Sequence, residues 1–97
     1  MNNNINIIAG SLVRLTRKSS LSGLPKYVRD EKGKFDLVTV GDSTQQAENL
    51  LPRQLLIFVE QRFEANGAVI GYYCLNPITG SIVCMFDAEI EPLSTKG

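Results

Sequence analysis

The sequence predicts a single, mainly all-β domain over residues 1–97. We expect a small barrel of about five to six antiparallel strands, with a long insertion over 18–53 that contains a hairpin and one short helix. Short runs rich in Ile, Val, Phe and Tyr fill residues 54–93, and Gly, Asn or Pro stands at each break between them. The composition, 43% hydrophobic and 21% charged, is ordinary for a soluble globular domain. Flexible ends are expected at 1–4 and 94–97.

The first strand is predicted over 11–17, because Val13 and Leu15 alternate with polar residues. From residue 18 to residue 34 the composition changes to Ser, Gly, Pro and charged residues, which predicts a long, partly irregular loop. Within it, KYVRDEKGKF indicates a hairpin with its turn at 31–34. The second arm of this hairpin is FDLVTV, over 35–40.

The only helix is predicted over 42–51. Ser43 and Gln46 have the spacing of a capping box, and good helix formers follow them. Pro52 ends the run. A helix this short is unstable alone, so Leu50 and Leu51 are expected to pack on the sheet or on a partner.

The longest strand is predicted over 55–63, with apolar residues on both of its faces at the start. One face carries Leu55, Ile57, Val59 and Phe63. The other carries Leu56 and Phe58, which we expect to lie opposite the core. A hairpin turn follows at 65–67, where Asn-Gly favours positive φ. Gly71 then indicates a bulge or a sharp bend, which favours a barrel over a flat sheet.

The second tight turn lies at 76–80, with Pro77 and Gly80 in favourable turn positions. A four-residue loop would place Cys74 opposite Val83, so that the two thiols point to opposite faces. A five-residue loop would place Cys74 opposite Cys84. One turn of tight helix or loop is expected at 87–89, and a last short strand at 90–93.

These features together resemble the SH3-like small barrels, in particular the KOW-type domains and the short bacterial and phage versions. The resemblance rests on GSLVRL near the start, the strand pair with its tight hairpin, the one-turn break and the closing IEPL. It covers most of residues 9–93, although the insertion before Leu55 is longer than in the simple forms. The resemblance implies binding to a peptide, to nucleic acid or to a larger complex, and rarely catalysis.

The residue types argue against most catalytic and metal chemistry. The chain has no histidine, and its two cysteines form no CxxC pair, so His-based catalysis and a structural zinc site are not expected. No glycine motif for nucleotide phosphates occurs. We therefore predict a protein that is not an enzyme and has no cofactor or metal. Carboxylate catalysis by Asp87, Glu89 and Glu91 is the remaining enzymatic alternative.

The sequence predicts a cytoplasmic protein without a membrane partner. The N-terminus lacks the basic region of a signal peptide, and no apolar run approaches the length of a membrane span.

Charge is unevenly distributed along this neutral chain. Residues 14–34 contain seven basic and two acidic residues, a net of plus five, and residues 35–97 carry minus five. This segment is either a solvated loop or a basic patch for an acidic partner. Of Tyr72 and Tyr73, one should face the core, and the other is either covered by the long loop or forms a stacking platform with Phe58 for single-stranded nucleic acid.

An apolar excess opposite the core indicates self-association or a protein partner if nothing covers it. Its members are Leu50, Leu51, Leu56, Phe58, Val83 and Met85. The first hypothesis is a non-enzymatic protein-binding module that docks on a larger protein or on itself, as a regulator or inhibitor of a bacterial or phage-host complex. The alternative is nucleic-acid binding through the basic segment. The candidate partner-binding residues are Arg14, Arg17, Lys18, Lys26, Arg29, Leu56, Phe58 and Tyr73.

Overall fold

Runs of apolar residues separated by Gly- and Pro-containing turns become strands in the computed structural model, which describes residues 8–40, 43–44 and 46–93. In this part of the chain a single turn of 3₁₀ helix, Asp87–Glu89, lies between the last two strands. In chain order the strands are β1 Leu12–Leu15, β2 Leu21–Pro25, β3 Tyr27–Arg29, β4 Phe35–Leu37, β5 Thr39–Val40, β6 Ser43–Thr44, β7 Gln46–Leu50, β8 Leu55–Phe63, β9 Val69–Leu75, β10 Ile82–Met85 and β11 Ile90–Pro92.

Seven strands form one antiparallel sheet in the order β11-β1-β8-β9-β10-β3-β4. The meander β8-β9-β10 is its centre, β1 and β11 extend it on one side, and the β3–β4 hairpin extends it on the other. Strands β2 and β7 form a separate ladder, and β5 pairs with β6. The mainly β class is thereby confirmed. The prediction of a closed barrel was wrong, because β11 and β4 stand at opposite ends of an open sheet.

The core lies on one face of the meander. Val13 of β1 stands opposite Leu56 of β8, and Phe58 stands opposite Cys74 of β9, all four being buried. The prediction for the faces of β8 was therefore wrong: Leu56 and Phe58 are inside, whereas Leu55 and its neighbours on that face are only half-buried. Alternation could not decide this, because both faces of the strand begin with apolar residues. The buried cluster is Val13, Leu15, Leu50, Leu56, Phe58, Tyr72, Cys74, Val83, Met85 and Ile90.

The helix predicted over 42–51 was also wrong, since residues 46–50 form strand β7. Glu48 and Leu50 are buried, whereas Asn49 and Leu51 are exposed, which is the two-residue period of a strand. Pairing with β2 and burial of Leu50 outweigh the weak helix propensity of this segment. Positions 42 and 45 of the predicted helix lie outside the described residues, as does position 41 before it. Strand β2 also replaces part of the predicted loop.

Predictions based on turn chemistry were confirmed. The β3–β4 hairpin pairs Tyr27 with Leu37, and Gly33 in its turn has φ +82°. The four-residue loop was the right alternative for the β9–β10 turn, because Cys74 stands opposite Val83 and the two thiols are free. The register of β8 against β9 shifts beside Gly71, as expected for a bulge.

No helix in the described residues is long and apolar enough to cross a membrane. The flexible ends predicted at 1–4 and 94–97 lie outside the described residues.

Candidate binding groove around Arg62

A β-bulge in the middle of β8 changes which side chains face the core. Before it Phe58 pairs with Cys74, and after it Glu60 pairs with Tyr73, so Val59 is the extra residue. An extra residue reverses the alternation of faces. Glu60 and Arg62 therefore lie on the side of the sheet opposite the core, where they join Tyr73.

Aromatic side chains from the β3–β4 hairpin cover Tyr73 on this outer face. The ring centre of Phe35 lies 4.3 Å from that of Tyr73, and the ring of Tyr27 meets Tyr73 edge-on at 5.2 Å. Tyr73 is consequently only 7% exposed. Burial raises the pKa of the Tyr73 hydroxyl, although the nearby Arg62 opposes the shift. Tyr73 is therefore part of the wall of a groove and is not a free stacking surface.

Arg62 crosses the floor of this groove over a glycine. It stands opposite Gly71, whose Cβ position would lie only 2.9 Å from the Cys84 sulfur. The Arg62 guanidinium donates to the Tyr27 hydroxyl at 3.4 Å and to the Cys84 sulfur at 3.8 Å. The contact with Cys84 raises the pKa of Arg62, so the side chain remains charged. Gly71 thus leaves the space through which Arg62 reaches across to β10.

Three recesses meet at Arg62, with volumes of about 210, 400 and 390 Å³. Tyr27 lines the first two, and Phe35 and Tyr73 line the last two. We call this continuous depression the Arg62 groove. Exposed apolar side chains stand around it, one in each recess: Phe86, Leu37 and Phe63.

The second arginine near the groove is already engaged. Arg29 forms an ion pair with Glu60 at 3.1 Å, and its guanidinium lies 4.4 Å from the ring centre of Phe35. Both members of the ion pair are about half exposed, so its contribution to stability is small. Its effect is positional: Glu60 turns toward Arg29, which leaves Arg62 without an ion pair among the described residues.

A separate polar cluster lies under the β9–β10 turn. Asn76 donates to Glu48 at 2.7 Å and accepts from Gln54 at 2.8 Å, and all three side chains are buried. The Thr79 hydroxyl also donates to Glu48. These residues line none of the three recesses. We therefore interpret the cluster as structural: its hydrogen bonds hold β7 against the main sheet.

The predicted partner-binding residues do not form one patch. Arg14 donates to the Arg53 carbonyl and Arg17 accepts from the Arg53 N–H, so these two lie near the 51–54 turn beside β1. Lys26 and Arg29 are at β3, with three strands between β3 and β1 in the sheet. Lys18 is exposed in the loop after β1.

The apolar members of the prediction need correction. Leu56 is 0% and Phe58 4% exposed, so neither belongs to a surface. The same holds for Leu50, Val83 and Met85, which are core residues, while Leu51 is 60% exposed. Tyr72 faces the core. Of the predicted binding residues, Tyr73 lies in the groove under the β3–β4 hairpin, and Arg29 lies next to the groove.

Sequence reasoning missed Tyr27, Phe35 and Arg62 as groove residues. The hairpin that carries Tyr27 and Phe35 was predicted, but its docking beside β10 has no local signal. Arg62 was seen only as part of the polar end of β8. Its position depends on the bulge at Val59, and no Gly or Pro marks that bulge in the sequence.

The other reactive groups have structural surroundings. Burial raises the pKa of the Cys74 thiol to about 12, so it is inert, whereas Cys84 is half-buried in the groove. Of the carboxylates considered for catalysis, Glu89 accepts from the Phe86 N–H at 2.9 Å and Glu91 pairs with Arg53 at 3.4 Å. The described residues contain no cluster of His, Cys, Asp and Glu able to hold a metal ion.

Searches against family models, curated proteins and solved structures found no match to this chain.

Proposed function

We propose that this chain is a non-enzymatic binding module that docks on another protein through the Arg62 groove. The observation that carries the proposal is the coincidence at Arg62 of three recesses, each lined by an exposed apolar side chain. Leu37, Phe63 and Phe86 are each more than 40% exposed at the recesses that they line. Large apolar side chains around a concave surface are typical of protein-interaction sites.

Nucleic acid is the competing ligand, and the groove favours it less. The ring of Phe35 already contacts Tyr73 and Arg29, so little of its surface is left for a base. The charged residues that line the recesses are three carboxylates and two cations, which does not favour a polyanion. The charged lining residues are Lys34, Asp36, Glu60, Arg62 and Glu89.

The test is selection of a random peptide library on the immobilised protein, followed by isothermal titration of the best peptide. Leu37→Glu places a charge in the groove and should weaken binding about tenfold or more. Ile78→Glu is the matched control, because Ile78 is 69% exposed in the β9–β10 turn and lines none of the three recesses at Arg62. Equal binding by both variants, or the absence of any selected peptide, would refute the proposal. Binding of oligo(dT) with a steep loss in salt would favour nucleic acid instead.

A further inference from the structure

Arg62 lines all three recesses of the groove, and no described residue forms an ion pair with it. Its contacts to Tyr27 at 3.4 Å and to the Cys84 sulfur at 3.8 Å are long for hydrogen bonds. Several of its N–H donors therefore remain available. The two ion pairs among the described residues are Arg29–Glu60 and Arg53–Glu91, and neither includes Arg62.

We infer that Arg62 anchors one carboxylate of a segment of the partner protein, an inference that rests on the proposed function of the groove. A planar guanidinium binds a carboxylate through two parallel hydrogen bonds, which fixes orientation as well as charge. Such a pair is stronger where water is partly excluded, and the half-buried Arg62 has its guanidinium 6.0 Å from the ring centre of Tyr27.

The surrounding charges select a single carboxylate over a phosphate. Asp36, Glu60 and Glu89 line the same recesses, so a group with two negative charges would meet repulsion from three sides. Glu60 and Glu89 are already engaged, with Arg29 and with the Phe86 N–H, and do not compete for Arg62.

Exposed apolar side chains beside Arg62 supply the second contact for the partner. Leu37 and Phe63 are each exposed, and each lines a recess that Arg62 also lines. The acidic residue of the partner would meet Arg62, and a neighbouring apolar residue would meet Leu37 or Phe63.

The test uses the best peptide from the selection described above and a second peptide in which its acidic residue is changed to the amide. We expect selected peptides to share an Asp or Glu beside an apolar residue. The amide form should bind the wild-type protein about tenfold more weakly, yet bind Arg62→Gln as well as the acidic form does. This coupling assigns the carboxylate to Arg62. Arg53→Gln is the matched control, since Arg53 lines no recess.

A measurement on the wild-type protein avoids dependence on the folding of Arg62→Gln. The side-chain Nε–Hε resonance of Arg62 should shift with the acidic peptide and shift much less with the amide form. Peptides that are lost on Leu37→Glu but show no coupling to Arg62 would overturn this inference while leaving the proposed function intact. Peptides insensitive to Leu37→Glu would instead refute the proposed function itself.

Discussion

Replacement of Asn76 by alanine should destabilise the fold strongly, because its buried side chain is hydrogen-bonded to two other buried side chains. The Asn76 side chain is 1% exposed and joins three segments, because it donates to Glu48 at 2.7 Å and accepts from Gln54 at 2.8 Å and from the Ile78 N–H at 2.9 Å. The alanine variant would leave the Gln54 amide without this partner and Glu48 with one donor fewer, both inside the protein. The Ile78 N–H is near the surface, where water replaces the lost bond.

The magnitude follows from the two buried groups. Each buried polar group that loses its partner costs about 1–3 kcal/mol, so we expect a loss of about 3–4 kcal/mol in the free energy of unfolding. That is a large part of the roughly 5–15 kcal/mol available to a domain of this size. Because Glu48 belongs to β7, amide hydrogens of β7 should also exchange faster.

The assay is urea unfolding followed by far-ultraviolet circular dichroism. With an m-value of about 1–3 kcal/mol per molar urea, the midpoint should fall by about 1–4 M. Asn49→Ala is the control: Asn49 neighbours Glu48 in sequence but is exposed, and it accepts one bond from the Gly23 N–H at 3.1 Å. We expect the control to cost less than about 1 kcal/mol. A similar loss in the free energy of unfolding for both variants would refute the interpretation that the cluster holds β7 against the main sheet.

Three further predictions concern the strands beneath the groove. Gly71→Ala should lower stability by about 1–3 kcal/mol in thermal unfolding, because the new Cβ would lie 2.9 Å from the Cys84 sulfur, and adding Cys84→Ala should restore part of the loss. Tyr72→Phe should leave stability unchanged or raise it by about 1 kcal/mol, because the buried hydroxyl has no partner among the described residues; a clear loss would contradict this. In thiol labelling at pH 8, Cys84 should react in the native state and Cys74 only after unfolding. Since burial raises the pKa of Cys74 to about 12, the unfolded thiol ionises above about pH 9 while the folded one stays protonated. Stability should therefore fall by up to about 1.4 kcal/mol per pH unit above pH 9, and Cys74→Ala should remove that part.

Local turn chemistry was the part of the fold that the sequence could predict. Strand β8 has the predicted bounds of 55–63, and the turns that contain Gly33, Gly67 and Gly80 are where they were expected, each with positive φ at the glycine. These features depend on a few neighbouring residues, so a single sequence contains the information. For the same reason, the length of the β9–β10 loop could be limited to four or five residues.

The segment 46–50 shows where local information fails. Its residues favour a helix weakly, and a difference of a few tenths of a kcal/mol per residue is small beside the burial of one leucine, about 2 kcal/mol. Leu50 is 1% exposed in the strand, and Glu48 reaches the Asn76 amide only from there. The distant partner decides the secondary structure, and nothing within the segment identifies that partner.

The groove was unpredictable for a more specific reason, namely the bulge at Val59. Strict alternation along β8 would send Phe58, Glu60 and Arg62 to one face, which would bury two charges beside Phe58 in the core. The extra residue resolves this conflict, because Phe58 stays inside while Glu60 and Arg62 emerge beside Tyr73. The conflict itself is visible in the sequence, because the alternate positions that carry the apolar Leu56 and Phe58 continue with the charged Glu60 and Arg62. The bulge at Val59 thereby places the cation of the proposed binding site on the outer face.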